Sequence, residues 1–96
     1  MIMNQKGKGN DYFQTPPYIF EQLDNIFNFT CDVACDEKNK KTYIGITEKQ
    51  NSLKIGWGIH RCFCNPPFSK KAEFIKKAYE EVTNGYCPIC VMILPL

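Results

Sequence analysis

The chain has 96 residues, of which 44% are hydrophobic and 23% charged, with a net charge of +2 from 12 basic and 10 acidic side chains. That composition is globular, and a chain of this length makes one small domain burying about 60–65% of its unfolded surface. No apolar run approaches the roughly 20 residues that span a bilayer, the first residues carry no signal-peptide pattern, and the charge is too mild to argue for nucleic acid by itself, so neither a membrane protein nor a secreted one is expected.

Residues 1–10 contain Lys6, Lys8 and two glycines and read as a flexible arm, with the folded domain over 11–96. Thr15-Pro16-Pro17 then gives a helix start, with Thr15 as N-cap and Pro16 at the first helical position. Ile19, Phe20, Leu23, Ile26 and Phe27 follow at helical spacing, which predicts an amphipathic helix of about three turns. Phe29 to Cys35 reads as a strand, and Asp36-Glu37-Lys38-Asn39 as a polar loop beyond it. Thr42 to Ile46 is β-branched and aromatic, a second strand weakened by Gly45. From Thr47 to His60 no period is legible, although Trp57 between Gly56 and Gly58 suits a loop anchor.

Cys62-Phe63-Cys64 is a short strand that Asn65-Pro66-Pro67-Phe68 must end, because consecutive prolines cannot continue a ladder. Ser69 is placed to cap a second helix, with Phe74, Ile75, Ala78, Tyr79 and Val82 on one face and Asn84-Gly85 closing it. Residues 86–94 are apolar and predict a strand covered on both faces. Strands separated by helical spacers indicate an α/β fold with a mostly parallel sheet and flanking helices. In such sheets ligands bind beyond the carboxyl ends of the strands. Two polar segments fall at such ends, Asp32 to Asn39 and Asn65 to Phe68.

Six cysteines need an explanation. A disulfide framework requires an extracellular address, which is lacking. A zinc module has Cys87-Pro88-Ile89-Cys90, Cys62, Cys64 and His60 to draw on. Against it, Cys90 leads into an apolar strand, where residues three apart point to opposite faces. Small core residues in a reducing cytoplasm are the preferred reading, with no metal.

Asn65-Pro66-Pro67-Phe68 has chemistry of its own. The prolines hold the Pro66 carbonyl and the Asn65 side-chain oxygen in a rigid turn, so two acceptors converge on one small region. A planar NH₂ group could be held by both, with Phe68 as a flat platform for the ring that bears it. An amine on an aromatic ring is a poor nucleophile because its lone pair is delocalised. Acceptors outside the ring plane draw that nitrogen toward sp³ geometry and restore the lone pair, with no general base of shifted pKa. A plain proline turn with Phe68 in the core is the alternative.

Here the sequence resembles the phage-type, S-adenosylmethionine-dependent DNA N6-adenine methyltransferases. The resemblance runs from Asp11 to Pro95. It rests on Asp11-Tyr12-Phe13-Gln14-Thr15-Pro16, on Phe29 to Asp36 with Asn39 following, on Trp57 shortly before Asn65-Pro66-Pro67-Phe68, and on Leu94-Pro95. It implies a partial Rossmann-like methyltransferase sheet, truncated after the strand ending near Leu94. Catalysis would fall to Asn65, Pro66, Pro67 and Phe68, holding an adenine flipped out of double-stranded DNA. Thr15 and Pro16 would close over the methionine end of the cofactor, Asp32 would face its amino group and Ala34 would give it room. Asp36 or Glu48 would hold the ribose, Asp36 being preferred. Lys70 and Lys71 would contact DNA, although a solvated helix face explains them equally well.

The resemblance also implies a cytoplasmic address in a bacterial or phage-infected cell, and an open sheet edge beside the last strand. A second copy or a further C-terminal segment would cover that edge. The other readings are the zinc module and a non-catalytic remnant acting as an interaction protein. Cytosine-N4 and protein-glutamine methylation share the tetrad, and only the wider resemblance favours adenine.

Overall fold

The computed structural model describes residues 2–5 and 14–95. Residues 6–10 of the expected arm and Asp11, Tyr12 and Phe13 lie outside the described residues. Among the described residues there are five strands: β1 Ile2–Gln5, β2 Cys31–Cys35, β3 Ile44–Thr47, β4 Arg61–Cys64 and β5 Ile89–Pro95. They form one sheet in the order β1-β5-β4-β2-β3, and every adjacent pair is parallel. Helix α1 (Pro17–Phe27) and helix α2 (Lys71–Thr83) cover opposite faces. This is the expected α/β sheet with flanking helices.

The N-terminal arm is corrected by β1. Ile2 pairs with Met92 and Gln5 with Pro95, so this segment joins the sheet and takes the edge of β5 that a second copy or a further C-terminal segment was expected to cover. A buried strand with unpaired amides and carbonyls is costly, and a short extended segment can satisfy them wherever it lies in the chain.

Side chains alternate across the sheet. Phe63, Val91 and Ile93 face α1, where Leu23 and Phe29 meet them. Phe20 sets its ring edge-on to Phe63, with centroids 5.0 Å apart. On the other face Cys31, Val33, Cys62, Cys64, Met92 and Leu94 lie beneath Phe74 and Ala78 of α2 and against Trp57. Small thiols here let the helix approach the sheet closely. Cys87 completes the layer, its sulfur 3.7 Å from that of Cys62. All six cysteines are free. Burial pushes the Cys31 thiol up to about 11 and the Cys35 and Cys90 thiols up to about 12. Cys62 and Cys64 are raised further by the same cause. These are protonated core groups at neutral pH, and nothing favours a zinc module.

Three local expectations shift. Helix α1 begins one residue late: Pro16 is its N-cap and Pro17 its first residue. A proline disfavours helical geometry in the residue before it, so Pro16 stays extended (φ −56°, ψ 139°). Helix α2 is likewise delayed, because Phe68–Lys70 form a 3₁₀ turn, and Lys70 rather than Ser69 stands at its N-cap. Finally, α2 turns Phe74, Ala78 and Glu81 to the sheet, leaving Ile75, Tyr79 and Val82 exposed. The C-terminus of α2 is as expected. Gly85 at φ 78° closes a Schellman motif in which the Gly85 N–H donates to Val82 and the Tyr86 N–H to Glu81.

Candidate active site

Because all strands run one way, β2, β3 and β4 end on the same side of the sheet. From β2 the chain steps outward to β3, then back across to β4 on the other flank of β2. This reversal opens a crevice between the carboxyl ends of β2 and β4, where α/β sheets place their ligands. A cavity of about 300 Å³ lies there, lined by Asp32 and Ala34 of β2, Glu48 after β3, and Asn65 and Pro67 after β4, with Thr15 entering from the segment before α1. That is the size range of small-molecule sites.

Asp32 is only 3% exposed. Its two carboxylate oxygens accept the backbone N–H groups of Ala34 at 3.2 Å and Lys41 at 3.0 Å. Burial raises its pKa, and these two hydrogen bonds oppose the rise. The return from β2 to β3 takes only residues 36–43, and Gly45 makes its packing possible. A Cβ at Gly45 would lie 2.6 Å from the Cys35 sulfur and 3.3 Å from the Lys40 Cβ. The glycine that weakened β3 as a strand in the sequence serves this close approach.

Asp36 lines the cavity, yet its Oδ1 accepts the N–H groups of Lys38 and Asn39 at 2.8 and 2.9 Å, and the Asn39 side chain answers on the Asp36 N–H. This carboxylate organises its own loop. Glu48 lies directly beyond the last residue of β3 and also faces the cavity.

The wall beneath is set from α2. Glu81, 5% exposed, accepts the Trp57 N–H at 2.6 Å, and its other oxygen lies 3.6 Å from the Lys77 ammonium. The Trp57 indole N–H donates to the Ser52 carbonyl at 3.0 Å, and the Ser52 hydroxyl donates to the Val33 carbonyl on β2. Glu81 escaped the sequence reading, although it stands one helical turn beyond Ala78 on the buried stripe, a signal that was there to find.

The tetrad divides. Asn65 and Pro67 line the cavity, whereas Pro66 is buried and outside the lining. Phe68 is also outside it, 36% exposed, with the Lys71 ammonium 4.7 Å from its ring centroid. Lys70 reaches the cavity and Lys71 does not. Pro16 does not line it either. The Thr15 hydroxyl accepts a hydrogen bond from Asn65 Nδ2 at 2.9 Å, so it serves the tetrad and makes no helix cap. Among the described residues no group of three His, Cys, Asp or Glu side chains is placed to hold a metal ion.

The family model described as DNA N-6-adenine-methyltransferase (Dam) matches residues 3–96. The chain belongs to this family. It is 32% identical over 80 residues to the DNA N-6-adenine-methyltransferase of Haemophilus phage HP1 (strain HP1c1), covering 81% of this chain and 46% of that protein. It is 31% identical over 77 residues to the protein of the same name from Escherichia phage T1, covering 78% of this chain and 32% of that protein. The chain thus spans less than half the length of these family relatives. No solved structure matches it.

Proposed function

We propose that this chain carries the cofactor-binding and catalytic part of a DNA methyltransferase that methylates N6 of an adenine turned out of the duplex. The observation that carries the reading is the cavity reached by both Asp32 and Asn65. One end offers a buried carboxylate and the other an amide beside a rigid proline bend, as a cationic cofactor and a neutral aromatic amine require.

The residues fit S-adenosylmethionine. When bound, this cofactor supplies an electrophilic methyl group on a sulfonium sulfur. Asp32, raised by burial, gains from a cationic amino group set against it. Glu48, which lines the cavity, takes the ribose hydroxyls in place of Asp36, whose Oδ1 already bonds its own loop. Ala34 leaves the floor of the crevice open. Asn65 Oδ1 and the Pro66 carbonyl hold the two N–H groups of the target amine and draw its lone pair out of the ring. The bound cofactor would supply its methyl group to this lone pair, with Asn65 and Pro66 holding the amine and the surplus proton passing to solvent. Phe68 stacks the base on the ring face away from Lys71. Lys70 and Lys71 meet the phosphates of double-stranded DNA in the cytoplasm of a bacterial or phage-infected cell.

Methyl transfer to an adenine-containing duplex, with cofactor binding followed by calorimetry, tests this. Asn65→Ala abolishes transfer and leaves cofactor affinity within about threefold. A variant that keeps most of its turnover overturns the assignment. A chain that neither binds the cofactor nor transfers methyl is the non-catalytic remnant instead.

A further inference from the structure

The segment between β3 and β4 supplies one wall of the cavity through Glu48, Asn51, Ser52 and Leu53. Residues 48–60 form turns but neither helix nor strand, and the backbone N–H groups of Gln50, Asn51 and Lys54 bond only to nearby carbonyls at Thr47, Glu48 and Asn51. A segment tied chiefly to itself takes its place in the fold from whatever grips it from outside. Here β2 and α2 supply the grip. Ser52 is held twice: its hydroxyl donates to the Val33 carbonyl, and its own carbonyl accepts the Trp57 indole N–H at 3.0 Å. Trp57 is held in turn by Glu81, which accepts its backbone N–H at 2.6 Å.

We propose that Trp57 is a positioning residue for the cofactor: fixed by Glu81, it sets through Ser52 the wall against which the adenosine half of S-adenosylmethionine lies, an inference resting on the cofactor reading given above. Each link has a single direction, because an indole N–H and a backbone N–H only donate and a carbonyl only accepts. The Ser52 hydroxyl proton is committed to Val33 for the same reason. Neither Trp57 nor Glu81 lines the cavity, so both act through the wall and not on the ligand. Trp57 is 2% exposed and shares one cluster of buried side chains with Phe74 and Ala78, which makes it a firm support. The adenosine half falls to this wall by elimination. Asp32 takes the cationic amino group and Asn65 the target amine, while the wall offers Glu48 to the ribose and Leu53, packed against the core, to the purine.

The test measures S-adenosylmethionine affinity by calorimetry, at a temperature where circular dichroism shows each variant folded. Trp57→Phe, which keeps an aromatic ring and removes the indole N–H, weakens binding by about 3- to 10-fold. Ile93→Val, a loss of core packing on the opposite face of the sheet, leaves affinity within about twofold of the parent. A double-mutant cycle locates the effect. Glu48→Gln costs less in the Trp57→Phe background than in the parent, because the wall is already displaced, whereas Asp32→Asn costs the same in both. Glu81→Gln, which keeps an acceptor for the Trp57 N–H, repeats the cycle should Trp57→Phe fail to fold, and it too couples to Glu48 and not to Asp32. Parent affinity in Trp57→Phe, additive losses with Glu48→Gln, or an equal loss in Ile93→Val overturns the proposal and leaves the proposed function standing. A parent chain that binds no S-adenosylmethionine overturns both.

Discussion

Glu81 and Trp57 meet through a buried carboxylate and a backbone N–H 2.6 Å apart, across 24 residues of sequence. The bond fastens the irregular segment after β3 to helix α2, and through Ser52 it reaches β2. Removing the carboxylate strands a buried donor as well as deleting a charge-assisted bond. Glu81→Ala should therefore cost about 3 kcal/mol in chemical denaturation. Glu81→Gln, which retains an acceptor, should cost about half as much. Equal losses for the two variants would mean that shape, and not the bond, holds the segment.

The raised pKa of Asp32 gives two pH effects of opposite sign. Its ordinary value is near 3.8, and burial lifts it in the folded chain. The folded cofactor-free state then binds this proton more tightly than the unfolded state does. The corresponding stability is fully present below the ordinary value and is lost as pH rises through the raised one. Affinity for a cationic cofactor runs the other way, falling as acid neutralises the carboxylate. Calorimetric titration across the acid range should show weakening with falling pH in the parent and a flat profile in Asp32→Asn. At neutral pH the variant should bind about 10- to 100-fold more weakly.

The two acids that line the cavity, Asp36 and Glu48, should separate cleanly. Asp36→Asn should loosen the 36–39 turn and change cofactor affinity by about threefold or less, since its oxygen bonds the loop. Glu48→Gln should weaken binding by about tenfold. The reverse ranking would return the ribose to Asp36.

Gly45→Ala places a Cβ 2.6 Å from the Cys35 sulfur, which is itself within 3.5 Å of the Asp32 and Ile46 carbonyls. Thermal denaturation should report a loss of about 1–3 kcal/mol. Gly45→Ala combined with Cys35→Ala should recover part of it, because the second change removes the obstructing sulfur.

Replacing Lys70 and Lys71 with methionine should weaken duplex binding and flatten its salt dependence, the log–log slope falling by about one for each phosphate no longer neutralised. Lys71→Met should also free one face of Phe68. The base stacks on the opposite face, so binding of free adenosine, which has no phosphate, should stay within about twofold of the parent. Parallel losses for duplex and nucleoside would place Lys71 in the base pocket itself.

The frame of this molecule is legible where one force dominates. The spacing of Ile19, Phe20 and Leu23 and the apolar residues of β5 give their elements directly, and the diproline after Cys64 marks a strand end. What escapes the sequence is long-range and polar. Thr15 before two prolines has the pattern of a helix cap, and only the fold brings Asn65 beside it. Ile75, Tyr79 and Val82 look like a core stripe, because hydropathy does not foresee that a buried glutamate will set the rotation of α2. Asp36 and Glu48 are equivalent as letters, and they part only once hydrogen bonds are counted. Ile2–Gln5 is too short and too polar at its end to announce a strand, and its place is decided by the partner edge.

The pairing of Ile2 with Met92 ties the first strand of the sheet to the last. With every adjacent pair parallel, each neighbouring strand must be recruited across an intervening stretch of chain, which slows folding. During synthesis, β1 leaves the ribosome long before β5 exists and stays without its partner until about 85 further residues have been made. A nascent chain halted in α2 would therefore carry one strand with nowhere to go, a form suited to capture by chaperones or by other unfinished chains.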